Sequence, residues 1–289
     1  MQNNPSLYSP SPLVGAWSAS TVLPDWVVER LGEKRLVFTL TTGRSGTGYL
    51  ATVLNTFPGV TATHEPEPKF SHWMRAAQKN PDVAWYFWGL KKLPAIARTE
   101  GSVYIETSHL FGKGFAEALF QLGIPFDLIV LMRDRRAVAR SLYQLNTIPG
   151  RTADGLKFLV SPQDPVLVPL PGAQILDDYQ LCFWYTLEME ARAAMYAREV
   201  MKRGGTVTAI TFDQLVQPKG VLHLADVLSL PEFDPESREQ FNRVQQQKVN
   251  DKAGMKGRPF TFTEEQLDAL EQEVFQLTQF QEYEVNYAS

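Results

Sequence analysis

A chain of 289 residues with one cysteine and four histidines has little of the chemistry that staples small folds or holds metals. Cys182 has no second cysteine to pair with, so no intramolecular disulfide forms and nothing demands an oxidising compartment. Its setting, "LCFWYTLEM", reads as core filling. His64, His72, His109 and His223 are not grouped at metal-ligand spacing, so no metal site is expected. No stretch approaches the ~18 consecutive apolar residues of a membrane span. The start, "MQNNPSLYSPSPLVGAWSAS", lacks a basic region followed by an apolar core. The expectation is a cytoplasmic protein with no stable membrane insertion. A net charge of -4 excludes a broad basic face and with it nucleic acid as a partner, but leaves room for a small anion in a local basic pocket.

What is present is 44% hydrophobic residues over a length that suits one large α/β domain. Residues 1–33, rich in Pro and Ser with Trp17 and Trp26, read as an N-terminal arm, and residues 34–289 as a single domain. Short β-rich runs, "LVFTLTT", "VTATHE", "SVYIETS", "FDLIVLMR" and "TVTAITF", alternate with helix-like segments such as "RAVARSLYQL" and "DDYQLCFWYTLEMEARAAMYAREVMKR". That alternation predicts an α/β fold, a mostly parallel central sheet with helices on both faces and ligands at the carboxyl ends of the strands. The proline-punctuated stretch 147–173 reads as a lid or an insertion.

"TTGRSGTGYL", Thr41 to Leu50, follows the first strand and opens a helix, the context of an anion nest. Gly43 and Gly48 have the spacing of a triphosphate-binding loop, yet Tyr49 and Leu50 stand where a lysine and a magnesium-binding hydroxyl belong. The register is open, since Gly46 and Thr47 can take part of the same role. Ser45 and Thr47 add hydroxyls, and Arg44 adds a cationic fork. A second anion site is expected in "LIVLMRDRRAVARSLYQL", where Arg133, Arg135, Arg136 and Arg140 crowd a strand's carboxyl end, with Ser141 beyond and Asp134 as helix cap. Two such sites suit a ligand with two separated phosphates.

In this order the segments resemble the sulfotransferases that use 3′-phosphoadenosine 5′-phosphosulfate (PAPS). "TTGRSGTGYL" is similar to their 5′-phosphosulfate loop, and "RDRRAVARS", containing Arg133 and Ser141, to their 3′-phosphate motif. "ITFDQLVQPKGVLHLADVLSLP" is similar to their late strand-and-helix segment. The resemblance implies a P-loop NTPase-like sulfotransferase fold, PAPS as donor co-substrate and no metal. It also implies that Arg44, Ser45, Gly46, Thr47, Gly48 and Tyr49 hold the 5′ end and that Arg133 and Ser141 hold the 3′-phosphate. In "VNDKAGMKGRPF", Lys256 and Arg258 loosely resemble the basic loop that closes over that phosphate. Arg44 stands where the cytosolic small-molecule type has lysine and looks like the "RSGT" of carbohydrate- and tyrosine-modifying members.

Sulfonyl transfer needs a base for the acceptor proton and cations for the developing charge. Arg44 is the expected cation. Glu65 in "THEPEPKF" resembles the Glu-Pro base of the carbohydrate-modifying branch and is preferred. His109 in "ETSHLF" resembles the histidine base of cytosolic members, with Glu106 in place of their lysine. Structural roles remain open for both, Glu65 pairing with an arginine and His109 capping the next helix. The aromatic run "AWYFWGLKKL" reads first as core and second as the wall of an acceptor cleft. The expected partner is a hydroxyl-bearing acceptor, with an amphipathic or carrier-protein-bound compound among the candidates. Rival readings are a P-loop kinase, which requires ATP and magnesium, and a non-catalytic nucleotide-binding protein.

Overall fold

Strand β1 (Arg35–Leu40) lies at the middle of a five-stranded sheet of order β2-β3-β1-β4-β5, with β2 at Val60–His64, β3 at Val103–Thr107, β4 at Asp127–Met132 and β5 at Val207–Thr211. Every adjacent pair is parallel. The computed structural model describes residues 7–246 and 257–282. Four of the strands fall within the β-rich runs of the sequence, and β1 starts one residue before its run, at Arg35. The reason is burial: β1, β3 and β4 are buried along nearly their whole length, and parallel strands covered on both faces need continuous apolar runs. The two edge strands alternate more, because only part of each is covered.

The chain leaves β1 towards the β2 edge and later returns to its other side as β4. This reversal opens a crevice at the carboxyl ends of β1, β3 and β4, where α/β sheets take ligands. Each sheet face has its own core. On one, Val37, Ile105 and Ile129 pack with Leu50, Val53 and Leu54 of the helix Thr47–Leu54. On the other, Phe38 stacks on Phe111 at 4.6 Å and meets Trp88 edge-on at 5.5 Å. Trp85, Phe87 and Trp88 of the aromatic run are buried here, so these three rings are core.

The helix Asp178–Lys202 crosses this second face, started by a capping box of Asp177 and Gln180. Its Glu188 and Arg192 form a fully buried ion pair at 2.5 Å. Arg192 also donates to the Tyr8 hydroxyl, the Gly112 carbonyl and the Pro165 carbonyl. It thereby joins residues 7–33, the loop after β3 and the 147–173 stretch. Residues 7–33 form three short helices and place Tyr8, Val14 and Val27 in the interior. Within 147–173, the helix Ala153–Phe158 is held by Arg75, which donates to the Leu156 and Leu159 carbonyls and pairs with Asp164 at 2.7 Å. No helix among the described residues is long and apolar enough to cross a membrane.

Candidate active site

β1 ends at Leu40, and the chain turns through Gly43 and Gly46, at φ 82° and 94°, into the helix Thr47–Leu54. Glycine adopts these angles without the Cβ clash that other residues meet. Space is equally tight: a Cβ on Gly43 would stand 3.1 Å from the His109 ring, and one on Gly46 2.9 Å from the Phe212 ring. Gly46 is the helix N-cap, so Thr47 and Gly48 take the first two helical positions, and neither register brings in a lysine. The Thr41 and Ser45 hydroxyls bond at 2.5 Å inside the turn, and the Tyr185 hydroxyl donates to the Thr42 carbonyl at 2.7 Å. Among the described residues, no backbone N–H from Gly43 to Tyr49 donates to a protein acceptor. The loop and the first helical turn thus present a run of donors backed by the positive end of the helix dipole.

Arg44 sits in the left-handed region at φ 58°, uncommon for a residue with a Cβ. Its Nε donates to Ser141 Oγ at 3.1 Å, so the loop and the β4 motif meet directly. Arg133 donates to the Arg44 carbonyl and lays its guanidinium 4.9 Å from the Phe212 ring centre. Burial, and then the neighbouring Arg133, lower the Arg44 pKa. Among the described residues neither arginine ion-pairs with a carboxylate. Two adjacent cations without a counter-charge are a standing demand for an anion.

The four-arginine cluster read from the sequence does not act as one. Arg135 is forked onto Glu190 at 2.6 and 2.7 Å, and Arg136 pairs with Glu264, Asp268 and Glu271. Arg140 lies over the Phe260 ring at 4.6 Å. The acidic face of the distant helix Glu264–Thr278 accounts for Arg136, a pairing across more than a hundred residues that local reading could not supply. Arg258 pairs with Asp178 at 2.6 Å and stacks on Tyr143, while Lys256 lies outside the described residues. Tyr49 is half-buried on the opening turn of the loop helix, and burial raises its pKa.

The two candidate bases come together. Glu65, just past β2, holds a left-handed φ of 47°, and its Oε1 lies 3.5 Å from His109 Nε2. The Ser108 hydroxyl makes a long contact, 3.5 Å, to the same oxygen. Arg44 and Glu65 are two of only five non-glycine residues with positive φ among the described residues, and local strain of this kind concentrates where side chains must be aimed. The His109 ring packs on Gly43, and burial, then Lys113, His64 and Arg44, push its pKa well below the usual imidazole value. Beside it, His64 Nδ1 is 2.8 Å from the Thr107 carbonyl oxygen, at the exit of the paired strands β2 and β3.

Sequence reading passed over the two lysines that support this cluster and did not place the partner of Glu106. Glu106 is fully buried on β3, paired with Lys92 at 2.8 Å and accepting from the Tyr104 hydroxyl at 2.7 Å. Lys92 also donates to the Pro66 and Pro68 carbonyls at 3.2 and 3.0 Å, fastening the turn that carries Glu65. Lys113 reaches His109 Nδ1 at 3.0 Å. The only signal for either lysine was its presence among apolar neighbours, in "WGLKKLP" and "LFGKGF". A cavity of about 750 Å³ has Thr41, Thr42, Met132 and Arg133 in its walls. Glu65 and His109 are not part of those walls.

No protein-family model matches the chain, and no curated protein matches its sequence. Solved structures similar to it include three sulfotransferases. The sulfotransferase domain from the curacin biosynthetic pathway is 13% identical, with a TM-score of 0.44 over 86% of this chain and 99% of that one. A sulfotransferase from Alicyclobacillus acidocaldarius is 15% identical, at 0.43 over 73% and 90%. The sulfotransferase domain from the Synechococcus PCC 7002 olefin synthase is 16% identical, at 0.43 over 88% and 97%.

Proposed function

We propose that this protein transfers a sulfonate group from PAPS to a hydroxyl of a small molecule, sugar, lipid or carrier-tethered acceptor. The observation that carries the reading is the joined anion site: unused N–H groups from Gly43 to Tyr49 beside the carboxylate-free pair Arg44 and Arg133, within reach of the Glu65–His109 pair. The donor supplies the sulfonate and departs as adenosine 3′,5′-bisphosphate. The loop N–H groups and Arg44 hold the 5′ end and oppose the negative charge that gathers on the bridging oxygen. Arg133 and Ser141 hold the 3′-phosphate. Glu65 takes the acceptor proton as the new S–O bond forms and the bond to the 5′-phosphate breaks.

Adenosine 3′,5′-bisphosphate is expected to stabilise the protein without magnesium, by about 2.7 kcal/mol at a hundredfold excess over Kd. A thermal-shift titration measures this. Equal or greater stabilisation by magnesium-ATP would turn the reading towards a kinase, and binding of the bisphosphate without turnover on any acceptor would turn it towards a non-catalytic nucleotide-binding protein.

Arg133→Ala is expected to weaken nucleotide binding by about 1.5–3 kcal/mol, the worth of hydrogen bonds to a charged group, with Ser141→Ala losing less. The loss is selective for nucleotides that carry a 3′-phosphate. Equal weakening of adenosine 5′-phosphosulfate, which lacks that group, sinks the assignment of Arg133.

A further inference from the structure

Lys113 is fully buried in the loop after β3 and pairs with no carboxylate among the described residues. Its Nζ donates to the Phe158 carbonyl at 2.5 Å, stands 3.0 Å from His109 Nδ1, and lies over the Tyr185 ring at 5.0 Å. A buried ammonium is costly without a counter-ion, and burial first, then Arg192 and Arg75 against Glu65, pushes its pKa well down. A lysine in so unfavourable a place calls for a reason. The contacts around His109 supply one.

The ring nitrogen that faces Glu65 is Nε2, with Oε1 3.5 Å away, and a proton on it points at a group that accepts. A neutral imidazole then has its lone pair on Nδ1, where the Lys113 amine stands as donor. The assignment holds whether Lys113 is charged or neutral, since a neutral amine keeps two N–H groups, one for Phe158 and one for His109. We infer that Lys113 is a positioning residue that sets the tautomer of His109, aims its Nε2–H at Glu65, and so leaves the carboxylate as the group that takes the acceptor proton. Through the Phe158 carbonyl it also ties the helix Ala153–Phe158 to the base, and through Tyr185, whose hydroxyl holds the Thr42 carbonyl, it ties the base to the anion loop. This rests on the sulfonate-transfer reading for its chemistry, but the tautomer is measurable without any donor.

The first measurement is the 15N–1H spectrum of the imidazoles in the unliganded, 15N-labelled protein, with His109 assigned by its disappearance in His109→Asn. The expected result is a protonated Nε2 and a bare Nδ1. An Nδ1–H tautomer overturns the inference. If the tautomer is as expected and no acceptor is sulfonated, the functional reading fails while the role of Lys113 in setting the ring stands.

The second measurement is the pH profile of turnover in Lys113→Met, which keeps length and apolar packing but donates nothing. Loss of an orienting partner of a histidine is expected to lower kcat by about 10–100-fold, with KM for the donor unchanged. The groups facing His109 are Lys113, His64, Arg44 and Glu65. Removing Lys113 takes away one of the influences that hold the imidazole pKa down, so the ring protonates at a higher pH and pairs with Glu65, weakening it as a base. The acid limb of the profile therefore moves to higher pH. Lys113→Gln retains an N–H donor and is expected to restore the tautomer and much of the rate. A uniform loss of activity in Lys113→Met with an unmoved acid limb, or no recovery in Lys113→Gln when both variants are folded, overturns the positioning role.

Discussion

Glu65→Gln is expected to lower turnover by about 10²–10⁴-fold at saturating donor, the usual worth of a general base, while affinity for adenosine 3′,5′-bisphosphate stays nearly unchanged. Glutamine preserves the shape of the side chain and its reach to His109 Nε2, 3.5 Å away, but cannot take a proton. The nucleotide contacts proposed above lie on the loop, just past β4 and on the helix Arg135–Gln144, and Glu65 makes none of them. Steady-state kinetics with the best acceptor found, beside calorimetric binding of the bisphosphate, separate chemistry from binding. His109→Asn is expected to be the milder change, since the imidazole orients the carboxylate and does not receive the acceptor proton. Near-normal turnover in Glu65→Gln beside a collapse in His109→Asn would reverse the two roles.

Lys92→Met is expected to destabilise the fold by about 3–5 kcal/mol, the cost of leaving one member of a buried ion pair alone. The two side chains are 1% and 0% exposed, so no solvent screening softens the loss. Burial raises the Glu106 pKa and lowers that of Lys92, which marks each charge as expensive on its own and tolerable only beside the other. Removing both charges in Lys92→Met/Glu106→Leu is therefore expected to recover most of the stability, because well-packed apolar pairs often equal buried ion pairs. The double variant still lacks the donor to the Pro66 and Pro68 carbonyls, so activity should not return in proportion to stability. Urea denaturation of the two variants beside the unaltered protein measures the first effect and turnover the second. A single-variant loss below about 1 kcal/mol, the range of a surface pair, would show that Lys92 is not the anchor described.

Glu106 shows how a resemblance read from sequence can mislead at one position. In the sequence it stands where the cytosolic sulfotransferases that the segment resembles have a lysine near the histidine base, and the exchange looks like a change in the catalytic machinery. In the structure its side chain is buried in the interior and meets Lys92 from another segment, so its charge is answered inside the core rather than by the reacting groups proposed above. His109 and Glu65 were weighed as alternatives because they are 44 positions apart in sequence. Pairing of β2 with β3 brings their exits together, with His64 opposite Thr107, and makes one cluster of the two.

The sequence by itself determined the sheet, the glycine turn and the helix that follows it. Those are local matters, decided by continuous apolar runs buried on both faces and by glycines able to take φ values of 82° and 94°. It also determined which residue types stand at the strand ends, and hence which chemistry was available. Only the tertiary structure decided which charges remain uncompensated: four arginines close together in sequence divide into two bound by distant carboxylates, one over an aromatic ring, and Arg133, which joins Arg44 at the loop. The physical reason is that chain folding is driven largely by apolar pattern, which is legible along the sequence, whereas the state of a charge depends on what lies within a few ångströms of it, and those neighbours arrive from segments that only packing brings together.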